Sequence, residues 1–229
     1  MQSKYTALLI GRFQPFHIGH LNSLWKILEK YDVNNIKIIV VRKENSRLDS
    51  NSIPLDVTID NILKGLEMIY GEKYNIKVYG IYYKNLIDLF VKIGNILNYN
   101  KCKSDYVITT SDINRLIMFK IAGIFYKIIY DIDLKVIYSP RIISGKEIRE
   151  NLRNGNIKYV KYIVYPEKEM IKYIMHPPGF EPGPRAWKAR ILPLDDGCNI
   201  YSYKFNIIKL CNFYQLNIFK EKNNENITL

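Results

Sequence analysis

The chain has few of the features that mark metal-binding, secreted or membrane-spanning proteins. Only three cysteines occur among 229 residues, and Cys102, Cys198 and Cys211 form neither a CxxC pair nor a metal-binding spacing. No apolar run approaches the roughly 18 uncharged residues of a membrane helix. The N-terminus lacks the basic-then-apolar order of a signal peptide. These absences predict reduced thiols, a cytoplasmic location and no membrane association.

Acidic residues are scarce relative to basic ones. The chain has 34 Lys and Arg against 22 Asp and Glu, which gives a formal net charge of +12. Such a surplus favours anionic partners, and nucleotide phosphates, nucleic acid and an anionic membrane surface all fit it equally well. The frequent Ile, Tyr, Lys and Asn can also reflect an AT-rich genome, so the charge carries little weight.

Short apolar runs alternate with amphipathic segments along most of the chain. The spacing of apolar residues in Leu21–Tyr31 predicts a helix, and buried-strand patterns at Tyr5–Ile10 and Ile36–Val41 lie on either side of it. The polar segment Arg42–Leu55 is predicted to be a loop. Further helices are predicted at Thr58–Tyr70, Leu86–Leu97, Asn114–Phe125, Gly145–Asn154 and Lys168–Tyr173. Further strands are predicted at Ile76–Tyr82, Asp105–Thr110 and Lys135–Ile137. This alternation predicts an α/β fold with a doubly wound parallel sheet.

The composition changes at residue 176. Five of the nine prolines lie between residues 177 and 193, and helix and strand periodicity is lost there. We therefore predict a domain at residues 1–175 and an irregular C-terminal extension at 176–229. Two interpretations of the extension stay open. It is either a proline-rich linker to a small C-terminal element, or a reading frame that runs on into a tRNA gene. The second fits because Gly179–Pro182 can be encoded by GGN-TTC-GAA-CCN, which contains a T-loop core.

The strongest functional signal is the sequence GRFQPFHIGH at Gly11–His20, between the first predicted strand and the first predicted helix. Ligands of open α/β sheets bind at the carboxyl ends of the strands, and a helix N-terminus offers unpaired N–H groups to phosphate. His17 and His20 can donate hydrogen bonds there, and Arg12 can neutralise charge. Gly19 lets a phosphate or a flat ring approach the backbone. These groups suit attack on an α-phosphate, where catalysis rests on positioning and charge stabilisation.

The histidine pair has two other interpretations. Both rings could cap the helix and pack without touching a ligand, or they could bind zinc. A zinc site needs further ligands, and the only other histidine, His176, lies in the proline-rich extension. We therefore assign no metal ligands in the chain. The position of the pair beside Gly11 and Arg12, at a strand–helix junction, favours a nucleotide site.

The Gly11–His20 sequence resembles the signature of the archaeal type of nicotinamide-nucleotide adenylyltransferase, within the HxGH nucleotidyltransferase superfamily. The segment ISGKEIR at Ile143–Arg149 resembles that family's S-x-T-x-I-R motif, which opens a helix and binds the triphosphate. The resemblance implies a Rossmann-like fold and an enzyme that makes NAD and pyrophosphate from ATP and nicotinamide mononucleotide, with Mg²⁺. It also implies a homo-oligomer with no stable nucleic-acid partner.

The resemblance assigns roles to nine residues of the triphosphate half of the site. The catalytic residues it implies are Arg12, His17 and His20. The nucleotide-binding residues it implies are Gly11, Phe13, Gly19, Ser144, Lys146 and Arg149. Ser144 is also predicted from the sequence alone to be the N-cap of the helix that follows it.

The sequence departs from the family in several places. Lys146 stands where the family has Thr, and Asn61 stands where it usually has Arg. In the longer loop that begins at Arg42, Arg47 is predicted to reach phosphate, unless it is only a solvated charge. For the acceptor, Phe90 is the candidate ring to stack on nicotinamide, with a place in the core as the alternative. Asp112 is the candidate contact to a ribose or the metal ion.

These departures leave two rival functions open. The first keeps nucleotidyl transfer and changes the acceptor or the triphosphate, as in an adenylyl- or cytidylyltransferase that acts on another phosphate-bearing molecule. The second is a non-catalytic protein that binds a nucleotide or a nucleic acid on the same fold. NAD synthesis is the function that the motif sequence favours.

Overall fold

The structure is a computed structural model that describes residues 5–44, 53–98 and 105–175. These residues form one five-stranded sheet with helices on both faces. The strands are β1 Tyr5–Gly11, β2 Val33–Lys43, β3 Asn75–Tyr83, β4 Asp105–Thr110 and β5 Leu134–Tyr138. The helices are α1 Ile18–Lys30, α2 Leu55–Tyr70, α3 Leu86–Asn98, α4 Ile113–Tyr130, α5 Gly145–Arg153 and α6 Lys168–Met175, with a 3-10 helix at Ile157–Tyr162.

The sheet is parallel throughout, with the strand order β3-β2-β1-β4-β5. The chain winds outward from β1 in one direction through β3, then returns to the other side of β1 with β4 and β5. This order confirms the predicted doubly wound, Rossmann-like fold. Ligands bind such sheets where the winding direction reverses, at the carboxyl ends of the strands. In this chain that place is the end of β1, from which the Gly11–His20 loop departs.

Alternate side chains of each strand lie in two separate cores. On one face Leu9, Ile38 and Val107 pack with residues of α1 and α2. On the other face Leu8, Ile39 and Ile108 pack with residues of α3 and α4. Because both of their faces are buried, the inner strands β1 and β4 are mostly buried along their length, whereas the edge strands β3 and β5 are partly exposed.

The predicted loop at Arg42–Leu55 was too long at both ends. Arg42 and Lys43 continue β2, and Leu55 already begins α2. The strand can continue through a charged residue because the Arg42 guanidinium donates to the Arg12 carbonyl and to Thr58 Oγ1. Those acceptors lie on other segments, so local polarity did not indicate them.

Helices α1, α2 and α4 each extend at least three residues beyond the bounds that their periodicity indicated, α2 at its start as described above. The first, α1, begins at Ile18 rather than Leu21, because the His17 side chain caps it. The fourth, α4, runs to Tyr130 rather than Phe125 and ends at Asp131, which has a left-handed φ of 52°. None of the helices in the described residues combines the length and low polarity needed to cross a membrane. The predicted extension at 176–229 lies outside the described residues.

Candidate active site

The N-termini of α1 and α5 meet at the loop that follows β1. A Cβ atom on Gly145, the first residue of α5, would lie 2.7 Å from the Gln14 carbonyl oxygen, so only glycine fits there. A Cβ atom on Gly19, in the first turn of α1, would lie 3.2 Å from the Ile143 carbonyl oxygen. The two sequence motifs lie about 125 residues apart in the chain, and the fold brings them into direct contact. Two helix N-termini directed at one place form a site for phosphate.

An unusual backbone conformation lies at the centre of this loop. Phe13 has a φ of 48°, in the left-handed region that bulky side chains rarely adopt. Such a residue costs roughly 1–3 kcal/mol, and it persists only where its surroundings determine it. Arginine side chains fix the backbone on both sides of it. The Arg42 guanidinium donates to the carbonyl of Arg12, and the Arg149 guanidinium donates to the carbonyl of Gln14.

Further contacts hold the rest of the loop. The Gln14 side-chain amide donates to the Ile53 carbonyl over 3.2 Å. The Val164 N–H donates to the Phe16 carbonyl over 3.1 Å, so the chain after the 3-10 helix pairs with the loop. The Phe13 ring is buried, and its centroid lies 4.8 Å from that of His20 in an edge-to-face contact. The loop is therefore a preformed part of the fold.

His17 and His20 form a reciprocal cap at the start of α1. Nδ1 of His17 accepts a hydrogen bond from the Gly19 N–H over 3.1 Å. Nδ1 of His20 accepts one from the His17 N–H over 3.2 Å. The rings stack with their centroids 3.7 Å apart. Because each Nδ1 is an acceptor, the neutral imidazoles carry their protons on Nε2. Each ring therefore offers one Nε2–H donor.

Both histidines are held in the neutral state. Burial, followed by the charges of Arg141 and Arg149, lowers the pKa of His17 from 6.5 to about 3. Burial also lowers the pKa of His20 well below its usual value, and His17 and Arg141 contribute further. At neutral pH these rings are uncharged hydrogen-bond donors. They are therefore poor general acids and suitable ligands for phosphate oxygens.

Sequence reasoning missed two arginines at this site. Arg42 is 2% exposed, and it donates to the Val41 carbonyl over 3.2 Å and to Thr58 Oγ1 over 2.8 Å. Burial lowers its pKa from 12.5 to about 10. Arg141 is exposed, and its Nε lies 3.4 Å from Ser111 Oγ. The only sequence signal for Arg141 was its position two residues before the second motif. Arg42 was not recognised because it lies at the edge of the predicted loop.

The remaining triphosphate-site candidates lie near the loop in different environments. Ser144 is confirmed as the N-cap of α5, since its Oγ accepts from the Glu147 N–H over 3.1 Å. Arg12 is exposed. Lys146 is also exposed, and its Nζ lies 3.6 Å from the carboxylate of Glu150. Their contacts with phosphate stay predictions, and Arg47 lies outside the described residues.

The acceptor-site candidates take part in packing and capping. Phe90 is half-buried in the core between α3 and α4, where the Tyr126 hydroxyl donates to its carbonyl over 3.1 Å. Asp112 caps α4, since its Oδ1 accepts from the Asn114 N–H over 2.9 Å. The Asn61 side chain donates to the Tyr165 carbonyl. The proposed contacts of Phe90 and Asp112 with substrate stay predictions.

The described side chains around the loop are mainly hydrogen-bond donors, so a magnesium ion there would be held by triphosphate oxygens and water. The described residues contain no group of three or more His, Cys, Asp or Glu placed to hold a metal ion. Mg²⁺ in nucleotide enzymes is commonly bound by substrate phosphates, waters and at most one or two carboxylates.

Comparison with known families gives the class of protein to which this fold belongs. Residues 8–151, more than half of the chain, match the cytidylyltransferase-like family. The chain belongs to the cytidylyltransferase-like family. No curated protein matches it in sequence.

Several solved structures share the fold at low sequence identity. The NadR protein in complex with NR has a TM-score of 0.53 at 17% identity, over 73% of this chain and 45% of that one. A bifunctional NMN adenylyltransferase/ADP ribose pyrophosphatase from Francisella tularensis has a TM-score of 0.53 at 16% identity, over 75% and 48%. Thermotoga maritima TmcAL bound with alpha-thio ATP has a TM-score of 0.50 at 14% identity, over 75% and 55%. The chain spans about half the length of these relatives.

Proposed function

We propose that this protein transfers AMP from ATP to nicotinamide mononucleotide, giving NAD and pyrophosphate. The observation that carries the proposal is the convergence of the N-termini of α1 and α5 on the Gly11–His20 loop, with two neutral imidazoles at its end. Such a place favours a chain of phosphates. The choice of acceptor rests on the resemblance of the loop sequence to adenylyltransferases of this kind, and the solved neighbours support the fold such a transfer uses.

In the proposed reaction the protein positions two phosphates and stabilises charge. A phosphate oxygen of the mononucleotide attacks the α-phosphorus of ATP, a new P–O bond forms, and the bond to pyrophosphate breaks. The attacking oxygen is already ionised at neutral pH, so the step needs no general base. His17 and His20 donate from Nε2 to the oxygens on which charge grows. Their depressed pKa values keep this donor state constant across neutral pH.

The arginines around the loop supply positive charge. Arg141 and Arg149 lie close enough to lower the pKa of His17, and the exposed Arg12 stands at the loop itself. Together they oppose the charge of the triphosphate. A magnesium ion bound with ATP would supply further positive charge at the triphosphate. A nucleotide substrate also accounts for the positive charge of the chain without a stable nucleic-acid partner.

A second candidate function keeps the transfer and changes the acceptor or the triphosphate. It is favoured by the contacts of the predicted acceptor residues, because Phe90 packs in a core and Asp112 caps a helix. An acceptor other than nicotinamide mononucleotide would not need a stacking ring at Phe90. The shared requirement is a phosphate that attacks the α-phosphorus of ATP or CTP.

The test is a reaction of the purified full chain with ATP, Mg²⁺ and nicotinamide mononucleotide, with separate measurements of pyrophosphate and NAD. Parallel reactions contain CTP, or a flavin or polyol phosphate as acceptor. We expect NAD and pyrophosphate in equal amounts, and at least about 100-fold slower formation of both by a His17→Asn variant at the same protein concentration. Pyrophosphate formation with another acceptor alone would support the second candidate. The absence of pyrophosphate with every pair of substrates would contradict both.

A further inference from the structure

Helix α4 has an apolar line along the side opposite the core. Its buried residues Phe119, Ala122 and Tyr126 face the sheet. Five isoleucines of the same helix are exposed by 54–78%: Ile113, Ile117, Ile121, Ile124 and Ile128. Intervals of three and four residues place them on one face of a helix. We call these five residues the isoleucine stripe.

The isoleucine stripe is part of a large apolar surface. Ile129 is 54% exposed and Phe125 is 39% exposed beside it. Together these seven side chains present on the order of 600–800 Å² of apolar surface, whereas the largest patch of a typical monomer is roughly 300–600 Å². Each partner in a standard protein interface contributes about 800 Å². The surface is therefore large enough for a stable dimer interface.

The spacing of the stripe is nearly the same when read in either direction. Its successive intervals are 4, 4, 3 and 4 residues. If two copies of α4 pack antiparallel about a two-fold axis near Ile121, Ile117 of one copy lies opposite Ile124 of the other. Ile113 then lies opposite Ile128. A two-fold interface needs a self-complementary surface of this kind, and apolar residues three and four apart are the spacing by which helices pack together.

The charges beside the stripe favour a protein partner over an anionic membrane. A helix that lies on such a membrane has Lys or Arg on its polar face that are available to lipid phosphates. Here the Lys127 ammonium lies 2.9 Å from the carboxylates of both Asp131 and Asp133. Lys120 is exposed on the same flank, which therefore has two ammonium groups and two carboxylates and no surplus of basic groups for an anionic surface.

We propose that the isoleucine stripe is the interface on which a second copy of this chain packs, α4 against α4 in antiparallel orientation. The proposal does not rest on the proposed function, because the stripe contains none of the residues assigned to the site. The five isoleucines become the centre of the interface, and Phe125 and Ile129 lie at its side. The expected assembly is a dimer, or a larger oligomer built from such dimers.

The first test measures the mass of the full chain by sedimentation velocity over a wide range of concentration. We expect the wild-type chain to sediment at twice its mass of 27.0 kDa, or an even multiple of it. Ile121→Asp places two carboxylates together at the two-fold axis, so it should weaken the dimer by about 10²-fold or more. The matched control is Ile157→Asp in the 3-10 helix, a site that is 51% exposed in the single chain. It should leave the mass unchanged.

The second test uses opposite charges to check the antiparallel register. Ile117→Asp alone and Ile124→Lys alone should each weaken the dimer, since each buries an unpaired charge. The double variant should recover it, because each Asp then faces the Lys of the other copy. Within one helix the two positions lie seven residues apart, roughly 10 Å along the axis. Recovery therefore reports a contact between copies, while circular dichroism verifies that every variant is folded.

Several outcomes would overturn the proposal. A wild-type chain that stays monomeric at all concentrations means that something other than a second copy covers the stripe. An oligomer that Ile121→Asp leaves intact places the interface elsewhere. Failure of the double variant to recover the dimer, with both singles weakened, rejects the antiparallel register. A monomer that binds vesicles of anionic lipid, with loss of binding in Ile121→Asp, would assign the stripe to a membrane.

Discussion

The triphosphate half and the acceptor half of the predicted site differ in what holds their residues. Around the Gly11–His20 loop, buried side chains fix the backbone. Arg42 and Arg149 donate to carbonyls on either side of Phe13, and His17 and His20 cap α1. On the acceptor side, Phe90 packs in the core between α3 and α4, and Asp112 caps α4.

This difference shows that the two halves of the site depend on different parts of the protein. A phosphate site can be built from backbone N–H groups and helix dipoles, so a short motif that fixes one backbone path encodes most of it. An acceptor site depends on a few side chains from several elements. Its residues must be identified by position in space, and in this chain the two candidates already have structural roles.

The largest expected effect comes from a variant that separates the two roles of His17, which caps α1 and offers an Nε2–H donor to phosphate. His17→Asn keeps an acceptor for the Gly19 N–H, since Asn is a good N-cap, and it loses the Nε2–H donor. We expect turnover to fall by about 10²–10³-fold, the effect of one lost transition-state donor, with the thermal unfolding midpoint near that of wild type. His20→Ala should lower turnover by a similar factor. Near-normal turnover in both variants would remove the histidines from the chemistry.

The next effect concerns the buried guanidinium that holds the loop. Arg42→Ala leaves a cavity and removes the hydrogen bonds to the Arg12 carbonyl and Thr58. We expect the free energy of unfolding to fall by about 2–4 kcal/mol, as measured by urea denaturation. Lys43→Ala, at the exposed neighbouring position, should change it by less than about 0.5 kcal/mol. Equal losses of unfolding free energy in both variants would mean that the hydrogen bonds of Arg42 do not stabilise the loop.

Acid should destabilise the protein through the histidine pair. The pKa of His17 is about 3 in the folded chain against an ordinary 6.5, so the unfolded chain binds its proton first as the pH falls. The stabilisation is complete above about pH 6.5 and is lost progressively toward pH 3, by about 1 kcal/mol per pH unit for each such histidine. Urea denaturation between pH 7 and pH 4.5 should give a smaller slope for His17→Asn than for wild type. Identical slopes would contradict the buried neutral state.

The smallest effect is expected on the acceptor side. Asp112→Ala should cost about 1 kcal/mol of stability through the lost cap, and Asp112→Asn should restore most of it. Because capping is the contact that the structure shows, we expect the KM for the acceptor to change by less than about threefold in Asp112→Asn. A rise of tenfold or more at unchanged stability would show that the carboxylate contacts substrate, and it would make the two halves of the site more alike.

The fold and the position of the Gly11–His20 loop in it could be predicted because both depend on local sequence patterns. Apolar runs and helical periodicity gave the strand and helix order, and the Gly11–His20 sequence marked the loop. The predicted start of α1 was three residues too late because histidine is an uncommon N-cap and the spacing of apolar residues does not indicate capping. The end of α4 was missed because Ile128 and Ile129 in its last turns are exposed. Apolar residues then lie on more than one face of the helix, and the helical periodicity is lost.

Other features depend on contacts between distant segments. In the sequence, Arg42 resembles the start of a polar loop. Its burial is explained only by its hydrogen bonds to Thr58 and the Arg12 carbonyl, which the fold brings close to it. The left-handed conformation of Phe13 follows from the two arginines that fix its neighbours, and nothing in the residue itself indicates it. The charge of Arg141 lowers the pKa of both histidines because the segment before α5 lies against the start of α1.

The central claim is that two neutral imidazoles present Nε2–H donors to a triphosphate, and nitrogen-15 spectra of the histidine side chains test it most directly. The chain has three histidines, so His17 and His20 can be assigned by single substitutions. We expect both to be neutral Nε2–H tautomers at pH 7, with signals that shift when a non-hydrolysable ATP analogue is added while that of His176 does not. Imidazolium signals at pH 7, an Nδ1–H tautomer, or spectra that the analogue leaves unchanged would contradict the claim.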